Sequence, residues 1–369
     1  MLQRAPTAIT AFGHVRLERR RVLTRTAILA VLGLLLVGVF LLLLLLGSVT
    51  IPLHEVLTVL AGGEASRDAW TNIILKVRLP KAVTAALAGA ALSAAGLLMQ
   101  TLFRNPLADP FALGISSGAS LGVALIVLSA GSAGGALLAG FGLVGDIAIT
   151  AAASMGAALV MLLALAAARR VSGSVTLLLL GLMFGYVSGA LVTLLMHTAL
   201  PERIQAYTNW TFGSFAGVSW GQMPVFAICV GIGLLMAAFT VKALNALLLG
   251  ENYARSLGVN MRQARTLIVL ASAILAGTVT AFCGPVGFIG IAVPHICRGI
   301  LRTADHRVLL PAALICGALT ALVAALIAEL PGSRTVLPLN AITALIGAPV
   351  VIWIVLNGRT QRASFGEAG

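Results

Sequence analysis

Long apolar runs of about twenty residues, separated by short polar segments, dominate this chain of 369 residues. A run of about 17 to 25 apolar residues is long enough to cross a bilayer as an α-helix. We predict ten such helices, at residues 27–47, 82–103, 113–130, 143–168, 174–199, 222–242, 266–282, 286–301, 308–330 and 339–356. The seventh and eighth runs are the shortest, because the segment FCGPVGF interrupts them. The pattern therefore predicts an all-α polytopic membrane protein with about ten transmembrane helices.

Positive charges are unevenly distributed between the polar segments. Lys and Arg accumulate in cytoplasmic loops, and 18 of the 24 fall inside when the N-terminus is placed in the cytoplasm. We therefore expect a basic cytoplasmic tail at 1–26, a transmembrane domain at 27–356 and a C-terminal tail at 357–369, with both termini cytoplasmic. The net charge of +13 then reflects topology and attraction to anionic lipid headgroups, rather than nucleic-acid binding.

Composition and missing motifs exclude several functions. Hydrophobic residues make up 60% of the chain and charged residues 9%, which is typical of a protein dissolved in lipid. The sequence holds no GxxxxGK[ST] loop for nucleotide phosphates and no HExxH metal motif. We therefore expect no enzymatic activity, no metal site and no cofactor bound by this chain. Its acidic residues fall in loops or near the ends of runs, whereas ion-coupled transporters carry ionisable groups near the membrane midplane.

A polar stretch interrupts the apolar pattern at MQTLFRNPLADPFALGISSGASLG, residues 99 to 122. Asn105 precedes a proline and Asp109 precedes another, and both pairs are typical of helix starts. The stretch predicts that the second helix ends, that a turn forms on the cytoplasmic side and that a new helix begins. Capping explains the Asn and the Asp but not Leu107 between them.

A second polar segment, LLGENYARSLGV, joins the sixth and seventh predicted helices on the cytoplasmic side. Glu251 and Arg255 have the i,i+4 spacing of a helical ion pair. Gly258 can end that short helix in a left-handed cap. On these features alone the segment is either a connector or a projection that fits a groove on a soluble partner.

Two predicted helices carry glycines four residues apart, a spacing that lets helices approach closely in lipid. One row is Gly114, Gly118 and Gly122. The other row lies in MFGYVSG and its surroundings, and either row serves tight packing or faces a wide passage or a subunit interface. The second row is the better candidate for a translocation path, with the residues Gly181, Phe184, Gly185, Tyr186, Ser188 and Gly189.

Taken together, the motifs resemble the FecCD family, the permease subunits of bacterial type II ABC importers that take up iron chelates, haem and vitamin B12. The resemblance runs from about residue 78 to residue 356. It rests on RLPKAVTAALAGAALSAAGLLMQTLFRNPLADPFALGISSGASLG, LLLLGLMFGYVSG, WTFGSF, LNALLLGENYARSLGV, GPVGFIGIAVPHICR, ADHRVLLP and ITALIGAPVVIW, in the family's order. It implies ten helices per subunit, a second permease copy with the path between the two, and the bacterial cytoplasmic (inner) membrane. It also implies two cytoplasmic ATPase subunits, which use ATP and Mg, and an external solute-binding protein.

The resemblance also implies roles for particular residues. The cytoplasmic gate is expected at Asn105, Leu107, Ser174 and Val175. The ATPase contact is expected in the coupling loop 246–265, at Gly250, Glu251, Ala254, Arg255, Leu257, Gly258 and Val259. Docking of the binding protein is expected at Arg78 and Lys81, and the position of a further family arginine here holds Glu329. Either Arg334 replaces that arginine, or the partner has a different charge pattern.

The sequence thus predicts a permease subunit of an ATP-driven importer of a metal chelate, with an iron chelate (a ferric siderophore or haem) as cargo. Vitamin B12 is the alternative within the family. An ion-coupled secondary transporter is a different class that the missing midplane charges disfavour. A purely structural membrane protein would leave the coupling loop unexplained.

Overall fold

Ten apolar helices dominate the computed structural model, which describes residues 8–128, 143–170, 174–330 and 335–356. We label them in chain order: α1 Ala8–Leu45, α2 Leu79–Leu102, α3 Ile115–Val127, α4 Leu143–Arg170, α5 Ser174–Thr198, α6 Met223–Leu247, α7 Met261–Cys283, α8 Ile289–Leu301, α9 His306–Ala328 and α10 Leu339–Leu356. Seven are long and apolar enough to cross a membrane, and α3, α8 and α10 are shorter apolar helices. The prediction of an all-α membrane protein with about ten helices is confirmed.

The lengths differ from the prediction at two places. The seventh helix, α7, is a full 23 residues, whereas α3 and α8 have only 13 residues each. A helix of 13 residues is about 20 Å long, which is shorter than the hydrocarbon core of about 30 Å. The segment FCGPVGF therefore shortens only the helix that follows it.

Short elements connect the long helices. On the side predicted to be external, they are the helices Leu53–Leu60, Asp68–Asn72, Ile73–Arg78 and Pro201–Thr211; on the other side, they are the turn Pro110–Leu113 and the helix Glu251–Ser256. Ile73–Arg78 has π-helical geometry and runs directly into α2. The described part of the basic N-terminal tail is helical and continues into α1 without a break.

The centre of the molecule is α2, which packs against α6, α7, α8 and α9. Buried residues make up 83% of its apolar window, against 11% for α1. Glycines allow this contact, because a Cβ atom on Gly89 would lie 2.1 Å from the carbonyl oxygen of Gly317, and one on Gly96 would lie 1.8 Å from that of Gly290. The backbones of α2, α8 and α9 therefore touch directly, as small residues permit in membrane proteins.

The connection between α7 and α8 is not helical, and residues from other segments form hydrogen bonds with it. The amide of Gly287 donates to the side-chain oxygen of Asn340 at 3.1 Å. The amide of Asn340 in turn donates to the carbonyl oxygen of Phe212 at 3.0 Å. The helix α8 then begins beside Gly96, six residues before α2 ends. Irregular backbone is tolerated at such depth because protein surrounds it.

Candidate functional site

The loop between α6 and α7 forms a short helix, Glu251–Ser256, which we call the coupling helix after the role predicted for it. It begins after Gly250, whose φ of 102° suits glycine, and ends at Gly258, whose φ is 81°. The amide of Gly258 donates to the carbonyl oxygen of Arg255, and the amide of Val259 donates to that of Ala254. These two bonds form a Schellman cap. The predicted left-handed cap at Gly258 is therefore confirmed.

Glu251 anchors the coupling helix to α7. Its carboxylate lies 2.8 Å from the guanidinium of Arg265, whose side chain is 9% exposed. The ion pair with Arg255, which was predicted from spacing, is longer at 3.9 Å, and Arg255 is 62% exposed. The coupling helix is thus fixed to the membrane domain through Arg265, while Arg255 points outward.

Three large apolar side chains of this loop are exposed. Leu249, Tyr253 and Leu257 lie four residues apart and are exposed, whereas Ala254 is fully buried. Tyr253 and Leu257 share one face, because Tyr253 lies in the helix and Leu257 ends it, whereas Leu249 precedes the helix. These three exposed side chains, which we call the apolar face, lie on the side predicted to be cytoplasmic.

The gate turn, which we define as residues 103–109, begins with a second Schellman cap. The amide of Arg104 donates to the carbonyl oxygen of Thr101, and that of Asn105 donates to Gln100. Arg104 has a φ of 48°, a conformation that usually favours glycine. The last turn of α2 therefore fixes where the gate turn begins.

The two Asx-Pro pairs behave differently. Asn105 accepts a bond from the amide of Leu107 at 2.9 Å, which makes a turn and starts no helix. Asp109 accepts a bond from the amide of Phe111 and caps the turn Pro110–Leu113. Burial raises the pKa of the Asp109 carboxyl to about 6. The predicted turn followed by a new helix start is confirmed, but only Asp109 acts as a cap, because Asn105 uses its oxygen to hold Leu107, which is 38% exposed.

The other half of the predicted gate lies at the beginning of α5. The helix starts at Ser174, but the side chains of Ser174 and Val175 lie outside what the structure describes. Further along α5, a Cβ atom on Gly114, which follows the turn Pro110–Leu113, would lie 2.7 Å from the carbonyl oxygen of Gly181. The gate assignment to all four residues stays a prediction.

The glycine rows have different surroundings. Gly118 and Gly122 pack against backbone of α4, whereas Gly189 has no atom within 4 Å of its Cβ position. Tyr186 on α5 is 65% exposed, and Ser188 is buried. The α5 row therefore presents an open face at Tyr186 and Gly189, while Ser188 lies on the packed side.

Arg78, which was expected at an outer docking surface, is only 5% exposed. Its guanidinium donates to the carbonyl oxygens of Leu44 at 2.7 Å and Leu45 at 3.0 Å, and also to that of Val49. Cations suit the C-terminal end of a helix, where carbonyl groups lack partners. Arg78 thus joins the end of α1 to the beginning of α2.

Lys81 is also turned inward. Its ammonium group lies 2.5 Å from the carboxylate of Glu329, the residue that ends α9. The ion pair joins α2 to α9 near their outer ends. Arg334 lies outside the described residues. Docking through Arg78 and Lys81 stays a prediction that requires both side chains to leave these partners.

Comparison with known proteins places the chain in a family. The model of the FecCD transport family matches residues 34–357. The chain belongs to the FecCD transport family. It is similar to the vitamin B12 import system permease protein BtuC of Klebsiella pneumoniae, with 39% identity over 286 residues that cover 78% of this chain and 83% of that protein. It is also similar to the hemin transport system permease protein HmuU of Yersinia pestis, with 36% identity over 300 residues, or 81% of this chain and 87% of that protein.

A solved structure supports the same assignment for this FecCD family member. It is described as a metal-chelate type ABC transporter in an inward-facing conformation. The TM-score is 0.77 at 27% identity, and the match covers 90% of this chain and 99% of that one. The family resemblance and the permease architecture predicted from the motifs are therefore confirmed.

The residues predicted for the ATPase contact of this FecCD protein do not include two exposed apolar side chains of the same loop. Leu249 and Tyr253 are exposed beside Leu257, but the motif match drew attention to the glycines and charges. The spacing of three apolar residues, four apart in a segment predicted to be cytoplasmic, was a usable signal.

In this FecCD protein the residue at the expected arginine position, Glu329, has an internal partner. We predict that Lys81→Glu lowers stability by about 3 kcal/mol, because it leaves two carboxylates facing each other in a poorly hydrated site. The double variant K81E/E329K should recover most of the loss. The measurement is thermal unfolding of the detergent-purified protein. Lys76→Glu is the control because Lys76 is exposed, and equal stability of the Lys81 and Lys76 variants would contradict the prediction.

Proposed function

We propose that this chain is the permease subunit of an ATP-driven importer that carries a bulky metal chelate into the bacterial cytoplasm. Family membership and the likeness to the two import permeases support this function. The cargo we propose first is an iron chelate, either a ferric siderophore or haem. Vitamin B12 is the second candidate, because BtuC is 39% identical to this chain.

The coupling helix is the observation that carries the proposal. The chain has no phosphate-binding motif of its own, so its energy must come from another subunit. The apolar face of Leu249, Tyr253 and Leu257 is exposed, as is Arg255, on the side predicted to be cytoplasmic. A helix that presents an apolar face suits a groove on a soluble partner. That partner is the ATPase subunit, which uses ATP and Mg.

The assembly we propose contains two permease copies, two ATPase subunits and an external binding protein in the inner membrane. The open face of α5 at Tyr186 and Gly189 supports a path between the two copies. The charge distribution supports cytoplasmic termini. A path that is formed by two subunits suits a cargo larger than an ion.

Uptake into proteoliposomes tests the proposed function. The permease is reconstituted with its ATPase subunits and its binding protein, and the cargo is haemin, a ferric hydroxamate siderophore or cyanocobalamin. We expect ATP-dependent accumulation of one of the three, and none when the ATPase subunits are omitted. Accumulation driven by an ion gradient without ATP would contradict the proposal.

The gate turn gives a separate prediction. Replacing Leu107 by Ala in both copies should let a small dye such as carboxyfluorescein leak from proteoliposomes without ATP, because the apolar side chain that closes the path is shortened. The matched control is Leu60→Ala, since Leu60 is 40% exposed on the opposite side and Leu107 is 38% exposed. A tight but inactive Leu107 variant would show that the turn has only a capping role.

A further inference from the structure

A buried polar cluster connects the end of α6 to the beginning of α9. The side-chain amide nitrogen of Asn245 donates to the carboxylate of Asp305 at 2.7 Å. The side-chain oxygen of Asn245 accepts from the backbone amide of His306 at 2.8 Å and lies 2.8 Å from Nδ1 of the same residue. Because the amide nitrogen is occupied by Asp305, the oxygen faces His306. His306 is only 1% exposed.

The other side of the imidazole contacts α2. Nε2 of His306 lies 2.8 Å from the hydroxyl of Thr101, which is also 1% exposed. A neutral imidazole has one donor and one acceptor nitrogen. With Nδ1 donating to Asn245, Nε2 is an acceptor, so the single hydroxyl proton of Thr101 goes to Nε2 rather than to the carbonyl oxygen of Leu97, which lies 2.9 Å from the hydroxyl. The three side chains thus form a continuous chain of hydrogen bonds from α6 through α9 to α2.

At Thr101 this series of hydrogen bonds reaches the last turn of α2, from which the gate turn begins. The carbonyl oxygens of Gln100 and Thr101 accept the amides of Asn105 and Arg104, which start the gate turn. The side chain of Gln100 accepts from Arg298 at 2.6 Å and donates to the carbonyl oxygen of Ile291, so α8 holds the same turn. The gate turn therefore follows any movement of Thr101.

At Asn245 the same series of hydrogen bonds begins close to the coupling loop. Asn245 lies in the last turn of α6, and the coupling helix begins at Glu251. The amide of Gly250 donates to the carbonyl oxygen of Leu247, so a hydrogen bond ties the start of the loop to the end of α6. A displacement of the coupling helix therefore reaches Asn245 directly.

From this geometry we propose that Asn245, His306 and Thr101 are positioning residues that transmit the movement of the coupling helix to the gate turn. The inference rests on the proposed function, because it assigns a route for the ATP-driven movement. Buried polar groups keep their partners, since a donor or acceptor left unpaired away from water costs free energy. The ends of α6 and α2 consequently move together while the hydrogen bonds stay intact.

Thr101 offers the cleanest substitution. Thr101→Val keeps the shape of the side chain but removes the hydroxyl that pairs with His306, whereas Thr101→Ser keeps the hydroxyl. Thr84→Val is the matched control. Thr84 is buried in the same helix, and its hydroxyl donates to the carbonyl oxygen of Pro80 within α2. The described residues show no bond from Thr84 to another helix.

The experiment measures ATP hydrolysis and cargo uptake in the same proteoliposomes, with the ATPase subunits, the binding protein and whichever of haemin, ferric siderophore or cyanocobalamin the wild type carries. We expect T101V to keep wild-type hydrolysis but to lower cargo moved per ATP roughly tenfold, which is within the range of measured coupling effects. T101S should recover most of the uptake, and T84V should match the wild type. Thermal unfolding of each variant shows whether folding is retained.

Three results would overturn the relay. They are wild-type cargo per ATP in T101V, equal losses in T101V and T101S, and equal losses in T101V and T84V. A T101V variant that fails to fold leaves the test to Asn245→Ser, which shortens the side chain at the α6 end of the relay and should lower cargo per ATP in the same way. Wild-type complex that transports none of the three cargoes would instead contradict the proposed function, so the two failures are distinguishable.

Discussion

Replacing Gly258 by valine should remove most ATP-driven uptake while the protein still inserts into the membrane. The φ of Gly258 is 81°, and no atom lies within 4 Å of its Cβ position. A side chain there has room, so the whole effect comes from the left-handed backbone conformation. That conformation costs about 1–2 kcal/mol for a residue with a Cβ atom, and more for a β-branched one. Such a cost depletes the capped turn by a factor of about 5 to 30.

The consequence is a displaced coupling helix rather than an unfolded protein. Without the Schellman cap, Val259 loses its bond to Ala254, and the apolar face of Leu249, Tyr253 and Leu257 no longer has a fixed orientation. Uptake per unit of membrane-inserted protein is the measurement, together with co-purification of the ATPase subunits. Normal uptake at normal expression would show that the capped turn has no coupling role.

A matched control separates coupling from strain. Gly62 has a φ of 88° and also has no atom within 4 Å of its Cβ position, and it follows the helix Leu53–Leu60 on the side predicted to be external. Gly62→Val imposes a similar backbone strain far from the coupling loop. Its uptake should stay close to that of the wild type.

A second large effect is expected at the contact between α2 and α8. Even Gly96→Ala should prevent accumulation of folded protein, because the new methyl group would lie 1.8 Å from the carbonyl oxygen of Gly290. Backbone atoms cannot rotate away as a side chain can, so α8 has to shift. Overpacking of a close-packed core costs typically about 1–3 kcal/mol and here displaces a whole helix.

The yield of monodisperse protein after detergent extraction checks this expectation. Gly33→Ala in α1 is the control, since nothing lies within 4 Å of its Cβ position. Alanine also has the higher helix propensity, so this control should lose nothing. Equal yields of the two variants would show that α8 adapts its position.

The sequence predicts the helices well because apolar length alone decides whether a segment can cross a membrane. Apolar length does not predict how far each helix extends across the membrane. The short helices α3 and α8 are apolar like the others, and the position of α8 is set by close contacts such as Gly96 with Gly290. Those contacts join residues that are far apart in the chain.

Local motifs in the candidate site are predictable, whereas contacts between distant residues are not. The cap at Gly258 is predicted correctly because a glycine after a short helix commonly ends that helix in a left-handed conformation. The pairing of Glu251 with Arg265 depends on how α6 and α7 are placed, and spacing suggested Arg255 instead. Lys81 and Arg78 were read as outer charges because a sequence does not show that Glu329 and the end of α1 lie beside them.

The irregular connection before α8 has a consequence for biogenesis. A helix of 13 residues is too short to enter the bilayer alone as a spanning segment. The connection before it is held at the amide of Gly287 by Asn340, which belongs to α10, the last of the described helices to be synthesised. The chain therefore has to hold α8 in an incomplete state until the C-terminal helix leaves the ribosome. Ribosome-bound chains that stop before Leu339 should accordingly be sensitive to membrane proteases.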